Sequence, residues 1–339
     1  LAVTASFLLL KRLFGARTAF IAALLIALNP YYLTHSRRVH LDAILTSFML
    51  LSALALLVAL REQTQSLRRR YLLLSGIFAG LAWLTKLPAL FLVPYAVLSL
   101  ATEILISGSR PRLSFTTVKQ SAASYVLWAL AAVAVFFLLW PSMWVNPGEV
   151  FRQLAHTLSW GVSAPHTSLL TSDGTPMQFF LGELVADPGP GYYPLITLFR
   201  LSPITFLFLP VGLIAIALGQ RHGGLGRRNR ASAWLGVAYV LFFVIMLSFG
   251  AKKLSSYILP IFPMLDVLAA IGLAAALGWI AAAWQKVRGS QKSRVDSTAI
   301  HGIAVAVILL TSVLWLRLWP YYSGYFNPIM GGPRAASRL

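Results

Sequence analysis

The feature that most constrains this chain is a recurrence of apolar segments separated by short joints crowded with Lys and Arg. The segments lie roughly at 18–34, 42–60, 71–85, 87–106, 121–140, 195–219, 231–250, 256–281 and 299–319, with 1–10 resembling the tail of another. About 20 apolar residues are needed for a helix to cross the hydrocarbon of a bilayer. Of the 339 residues 58% are hydrophobic and 11% charged, and a water-facing surface of this size requires far more polar side chains. The sequence therefore predicts an all-α, polytopic transmembrane helical bundle with about ten spans and excludes a soluble globular fold.

Charge fixes the orientation. The joints at 11–17, 61–70, 107–120, 220–230 and 285–298 hold 18 of the 28 Lys and Arg residues, and cationic joints stay on the cytoplasmic side. The formal net charge of +19 thus points to headgroups and orientation rather than to nucleic acid. An even number of crossings must separate consecutive cytoplasmic joints. That parity divides 71–106 into two crossings at Lys86 and Pro88, and 231–281 into two at Lys252, Lys253 and Pro260. It also places 141–194 outside. The expected organisation is N-terminal membrane helices over 1–140, an outer loop over 141–194, C-terminal membrane helices over 195–320 and an outer segment from 321 to 339. The chain opens at Leu1 within an apolar stretch and stops shortly after Gly331-Gly332-Pro333, so it reads as part of a longer protein. It has no cysteine, which removes disulfides and thiolate metal sites.

Within the outer loop, Asn146, Pro147 and Glu149 have the spacing of a capping box. Phe151, Leu154 and Leu158 then form one apolar stripe beside Arg152 and His156, predicting an amphipathic helix along the membrane surface. The remainder, through 171–176 and 187–191, reads as turns and loop.

The basic residues left outside are the informative ones: Arg37, Arg38, Lys86, Arg152, Arg200, Lys252 and Lys253. Charge near hydrocarbon costs about 2.5–3.5 kcal/mol on insertion scales. Each could snorkel to ordinary headgroups, or together they could hold a lipid-linked phosphate, for which Arg and Lys are both suited. Lys86, embedded in an apolar run, favours the second reading, whereas Lys252-Lys253 fits an interfacial anchor equally well. His35, Arg37, Arg38, His40 and Asp42 form the densest polar cluster. Asp42 could be an N-cap, or could orient an Arg or bind a sugar hydroxyl. His35 and His40 have no third ligand at a recognisable spacing, so no metal is expected. Asp266, inside an apolar helix disturbed by Pro260 and Pro263, suits either helix pairing or function.

Four stretches carry a resemblance: Leu28-Asn29-Pro30 with His35-Ser36-Arg37 and Asp42; Gly80-Leu-Ala-Trp-Leu-Thr-Lys86 with Pro88; Tyr257-Ile-Leu-Pro260-Ile-Phe-Pro263; and Tyr321-Tyr-Ser-Gly-Tyr-Phe-Asn-Pro328 with Gly331-Gly332. In order and in predicted side of the membrane they resemble the polytopic GT-C glycosyltransferases related to protein O-mannosyltransferases and the lipid A aminoarabinose transferase. The resemblance implies a GT-C-like fold and transfer of a sugar from a polyprenyl-phosphate donor to an acceptor at the outer face of the plasma membrane, with no separate cofactor. It implies an acidic base in a first outer loop, expected to precede Leu1. Arg37, Arg38, Lys86, Lys252 and Tyr257 would then bind the donor phosphate, and His40, Asp42 and His156 would contact acceptor or sugar. Membrane lipids and the lipid-linked sugar are the expected partners, with no nucleic acid. A non-enzymatic membrane subunit of a larger complex is the competing reading. A transporter is disfavoured, because the two halves lack a matching pattern of interrupted helices.

Overall fold

The computed structural model describes residues 1–38, 40–106, 115–163, 169–170, 176–219, 225–250, 253–288 and 297–337. Its helices are α1 (Ala2–Phe14), α2 (Ala16–Ala27), α3 (Pro30–Ser36), α4 (Asp42–Arg61), α5 (Gln65–Thr85), α6 (Leu92–Ile106), α7 (Phe115–Leu138), α8 (Ser142–Val145), α9 (Pro147–Ser163), α10 (Tyr192–Arg200), α11 (Pro203–Leu218), α12 (Arg227–Ser248), α13 (Phe262–Arg288), α14 (Ser297–Leu316) and α15 (Gly332–Ala336). Short 3-10 helices lead into α6 (Leu87–Phe91) and α13 (Ser255–Ile261).

Every apolar segment read from the sequence coincides with a helix, but not every one is a full span. Among the described residues α4, α7 from Lys119, α12 and the Ser255–Trp284 stretch are long and apolar enough to cross a membrane, and two bent pairs raise the number to six. About ten were expected. The difference lies in α1 and α6, which are short, in α14, of which only Gly302–Leu316 counts as a shorter apolar helix among the described residues, and in α5, which carries Arg68, Arg69 and Arg70 near its start. The bends were not anticipated either: α2 and α3 turn by 57°, and α10 and α11 by 116°. Each bend precedes a Pro whose missing N–H suits a helix start.

The buried centre is formed by α4 and the Ser255–Trp284 stretch, while α7 lies outside them and exposes Val126, Leu130, Val133 and Phe137, the arrangement expected where lipid is the solvent. Small residues allow the closest approaches. A Cβ on Gly76 or Gly80 would collide with the backbone of α7, and one on Gly212 or Gly272 with the backbone of the facing helix in the α11–α13 pair. Gly76 and Gly80 have the four-residue spacing of close membrane-helix contacts. Hydroxyls add to this: Ser52 Oγ donates to Ser75 O at 2.9 Å, Ser75 Oγ returns a bond to Ser52 O at 2.8 Å, and Trp128 Nε1 donates to Ser75 Oγ at 3.0 Å.

The amphipathic helix is present as α9. Asn146 Oδ1 accepts from Glu149 N at 3.2 Å, so the cap forms. Glu149 turns forward to Arg152 and Gln153 instead of completing the box. The rest of the outer loop is not all turn: β1 (Leu169–Leu170), β2 (Pro176–Phe180) and β3 (Glu183–Val185) form an antiparallel sheet in the order β1-β2-β3. Phe180 is buried against Tyr192, an apolar anchor that the turn-rich composition hides.

Candidate functional site

The residues singled out at the outer ends of the helices meet where α5 breaks. Pro88 has no N–H to offer the carbonyl of Leu84 and its ring crowds that carbonyl, so α5 cannot run on through it; the helix ends at Thr85 with Lys86 extended (φ −159°, ψ 146°). Trp83 Nε1 donates to the carbonyl of Ala89 at 3.1 Å, clasping the two sides of the break. The Lys86 side chain, 25% exposed, reaches Asp42 at the first residue of α4, with Nζ 2.5 Å from Oδ1. Its ammonium also lies 5.0 Å from the centre of the Tyr257 ring, a cation–π contact.

Asp42 is 2% exposed, and His40 Nδ1 lies 2.8 Å from its Oδ2. It is not an N-cap: Leu41 occupies that position, with no side-chain cap bond. The buried Asp42 carboxylate fixes the direction in which the Lys86 ammonium points. His35, buried on α3, lies within electrostatic reach of Asp42, Arg38, Arg200 and His40, so Arg38 belongs to the same cluster.

Arg37 is held elsewhere. Its guanidinium sits 3.5 Å from the centre of the Trp319 ring and 5.4 Å from that of Tyr322, so the expected convergence of Arg37 with Lys86 is replaced by stacking on the C-terminal segment. His156 lies on the polar side of α9, with Arg152 and Gln153. Lys252 lies outside the described residues. Lys253 is no interfacial anchor: it is 1% exposed, with Nζ 2.7 Å from Asp187 Oδ1 and donating to Gly250 O at 2.9 Å. Partial burial alone would raise the Asp187 carboxyl, but hydrogen bonds from the Lys253 ammonium and the Gly189 N–H, with the ammonium's charge, hold it below the ordinary carboxylate range.

Beside Lys86 opens an apolar groove of about 1030 Å³, walled by the end of α5, by α7 and by the apolar stripe of α9, including Trp83, Phe136, Trp140, Phe151 and Leu154. Among the described residues Lys86 is the one charged residue lining it. Phe151 and Leu154, read from the sequence as a face for the membrane surface, form one wall.

Two residues singled out in the sequence, Arg200 and Asp266, fasten elements together. Arg200 donates through Nη1 to the carbonyls of Ser323 (2.9 Å) and Tyr325 (2.6 Å) and stacks on Phe326 at 3.9 Å, fastening the C-terminal segment over α3 and α10. Asp266 accepts from Asn29 Nδ2 at 2.8 Å and from Thr205 Oγ1 at 2.6 Å. Asn29 caps α3 and Ser202 caps α11 through Thr205 N, so Asp266 ties both bends to α13. The Asn-Pro and Ser-Pro pairs were the available signals.

Residues 1–140 match a family described as dolichyl-phosphate-mannose-protein mannosyltransferase. No curated protein sequence matches the chain. Among solved structures, ArnT from Cupriavidus metallidurans bound to undecaprenyl phosphate aligns with a TM-score of 0.58 at 17% identity, and its apo state with a TM-score of 0.55 at 17% identity. Each alignment covers 93% of this chain and 54% of ArnT, so the chain spans about half the length of that protein. The resemblance read from the residues thus stands on two findings: the chain has an ArnT-like GT-C membrane fold, and its first 140 residues are similar to the protein mannosyltransferase family.

Proposed function

We propose that this chain serves a glycosyl transfer from a polyprenyl-phosphate sugar to an acceptor at the outer face of the plasma membrane. The observation that carries the proposal is the apolar groove lined by a single charge, Lys86. An isoprenoid chain matches the aromatic and aliphatic walls, and its phosphate matches the ammonium. The bound undecaprenyl phosphate in the ArnT structure is a lipid of the same kind and supports the reading.

The chemistry follows from charge. When an acceptor oxygen attacks the anomeric carbon, the bond from that carbon to the phosphate oxygen breaks, and a phosphodiester carrying one negative charge leaves as a monoester carrying more. A fixed cation beside that oxygen binds the departing group more tightly than the donor, which lowers the barrier. In this role Lys86 touches the phosphate, Asp42 and Tyr257 position it, and Arg38 and His40 add positive potential from the α3 side. Arg37 and His156 are assigned to neither substrate. The test is turnover of a polyprenyl-phosphate sugar by the full-length protein in lipid nanodiscs. Release of polyprenyl phosphate that falls at least 100-fold in Lys86→Ala supports the proposal. Absence of donor consumption across a panel of sugars and acceptors, with lipid binding unchanged in Lys86→Ala, favours the non-enzymatic subunit.

A further inference from the structure

A second polar cleft lies at the far end of the same helices. α4 runs from Asp42 to Arg61, so its two ends are about 30 Å apart, and at the Arg61 end a cleft of about 490 Å³ opens between α4, α5, α6 and α12. The charge pattern assigns this end to the cytoplasmic side. Arg61, Arg68, Arg227 and Arg228 line it against two carboxylates, Glu62 and Glu103. Both carboxylates are engaged: Arg68 grips Glu103 with both Nη atoms, and Glu62 Oε1 lies 3.2 Å from Arg12 Nη1.

Neither Arg61 nor Arg228 is ion-paired among the described residues. Arg61 donates to the carbonyls of Arg12 and Leu13 at the end of α1, while Arg228 reaches the neutral amide of Gln63 at 3.0 and 3.2 Å when the amide oxygen faces it. The backbone adds positive potential. Helices α5 and α12 both start at the cleft, without a side-chain cap and without an acidic residue in the first turn. Basic side chains at helix N-termini oppose the macrodipole, so the fold concentrates uncompensated positive charge here. On the floor, Ser99 Oγ is fully buried beside the Tyr95 hydroxyl.

We propose that this cleft binds a phosphate-bearing anion, independently of the donor site at Lys86. Arg228 and Arg61 hold its oxygens, the first-turn N–H groups of α12 add donors, and Ser99 is a further donor at depth. The phosphate could belong to an anionic lipid headgroup of the inner leaflet or to a soluble phosphate compound, and one experiment separates the two. The melting temperature of the full-length protein is measured in phosphatidylcholine nanodiscs, in nanodiscs doped with phosphatidic acid, and in the undoped discs with inorganic pyrophosphate. The variants are Arg228→Gln, Lys86→Ala and Lys11→Gln, the last an exposed cation of α1 outside the cleft. Stabilisation that needs about fivefold more probe in Arg228→Gln, and is retained in Lys86→Ala and Lys11→Gln, supports the site. Phosphatidic acid alone acting identifies a headgroup, and pyrophosphate acting identifies a solute. No stabilisation by either probe, or equal weakening in Lys11→Gln, overturns the proposal. The Lys86→Ala arm keeps this outcome separate from failure of the donor site.

Discussion

At the scale of single residues, the consequential pair is Lys86 and Asp42, 44 positions apart and 2.5 Å in contact. Asp42 is nearly inaccessible to solvent, so removing Lys86 leaves a buried carboxylate with His40 beside it and no ammonium. Truncating one member of such a pair costs about 3–5 kcal/mol, more than removing both. Lys86→Ala and Asp42→Ala should each lower the melting temperature, and Lys86→Ala with Asp42→Asn should recover most of the loss, as a thermal double-mutant cycle will show. A second residue-scale prediction concerns acid. The Asp187 carboxyl sits below its ordinary range because of Lys253 and the Gly189 N–H. The pair therefore contributes stability fully above the unfolded carboxylate pKa of about 3.9, and loses it as pH falls through the lower folded value. Asp187 is half exposed, so the contribution is modest, about 1 kcal/mol. Melting curves of Asp187→Asn should converge on those of the wild type as pH falls below the ordinary carboxylate range, once the folded carboxyl is protonated.

At the scale of elements, the account rests on where helices break. The break at Lys86 was legible because Pro88 interrupts an apolar run too long for one crossing, and the start of α9 because its cap signal is local. The 116° turn before α11 was not, since 195–219 was read as one apolar span and the bend is held by partners distant in sequence. Asp266 is the chief of these. It joins Asn29, 237 positions away, to Thr205, 61 positions away, and no spacing rule reveals such a pairing. Asp266→Ala removes the acceptor of Asn29 Nδ2 and leaves Thr205 Oγ1 only Ser202 Oγ at 2.9 Å, and should cost about 3 kcal/mol, whereas Asp266→Asn keeps one acceptor and should cost less. Thermal unfolding in detergent distinguishes them. Gly272→Leu is expected to be worse than either, because its side chain would fall on the backbone of α11. The measurable outcome is loss of the folded, monodisperse protein on size exclusion.

At the scale of the whole molecule, charge parity placed Arg37, Arg38, Lys86 and Arg200 on one side, but side does not fix partner. Arg37 and Arg200 are taken up by rings and carbonyls of the C-terminal segment, which closes over α3 and α10. Lys86, reinforced by Asp42 and Tyr257, is left facing the groove. The groove itself could not be read from the chain, since its walls come from three helices separated by some 70 residues, yet each wall was recognisable as an apolar helix face. The claim that this groove and Lys86 together hold a prenyl phosphate is tested most directly by equilibrium binding of fluorescent polyprenyl phosphate to the full-length protein in nanodiscs. Three forms are compared: wild type, the Lys86→Ala and Asp42→Asn double variant, and Ala155→Trp, which fills the groove. The account predicts that the double variant weakens binding about 10–100-fold, the worth of a charged hydrogen bond, and that Ala155→Trp weakens binding while leaving the melting temperature within a few degrees. Wild-type affinity in both variants would contradict it.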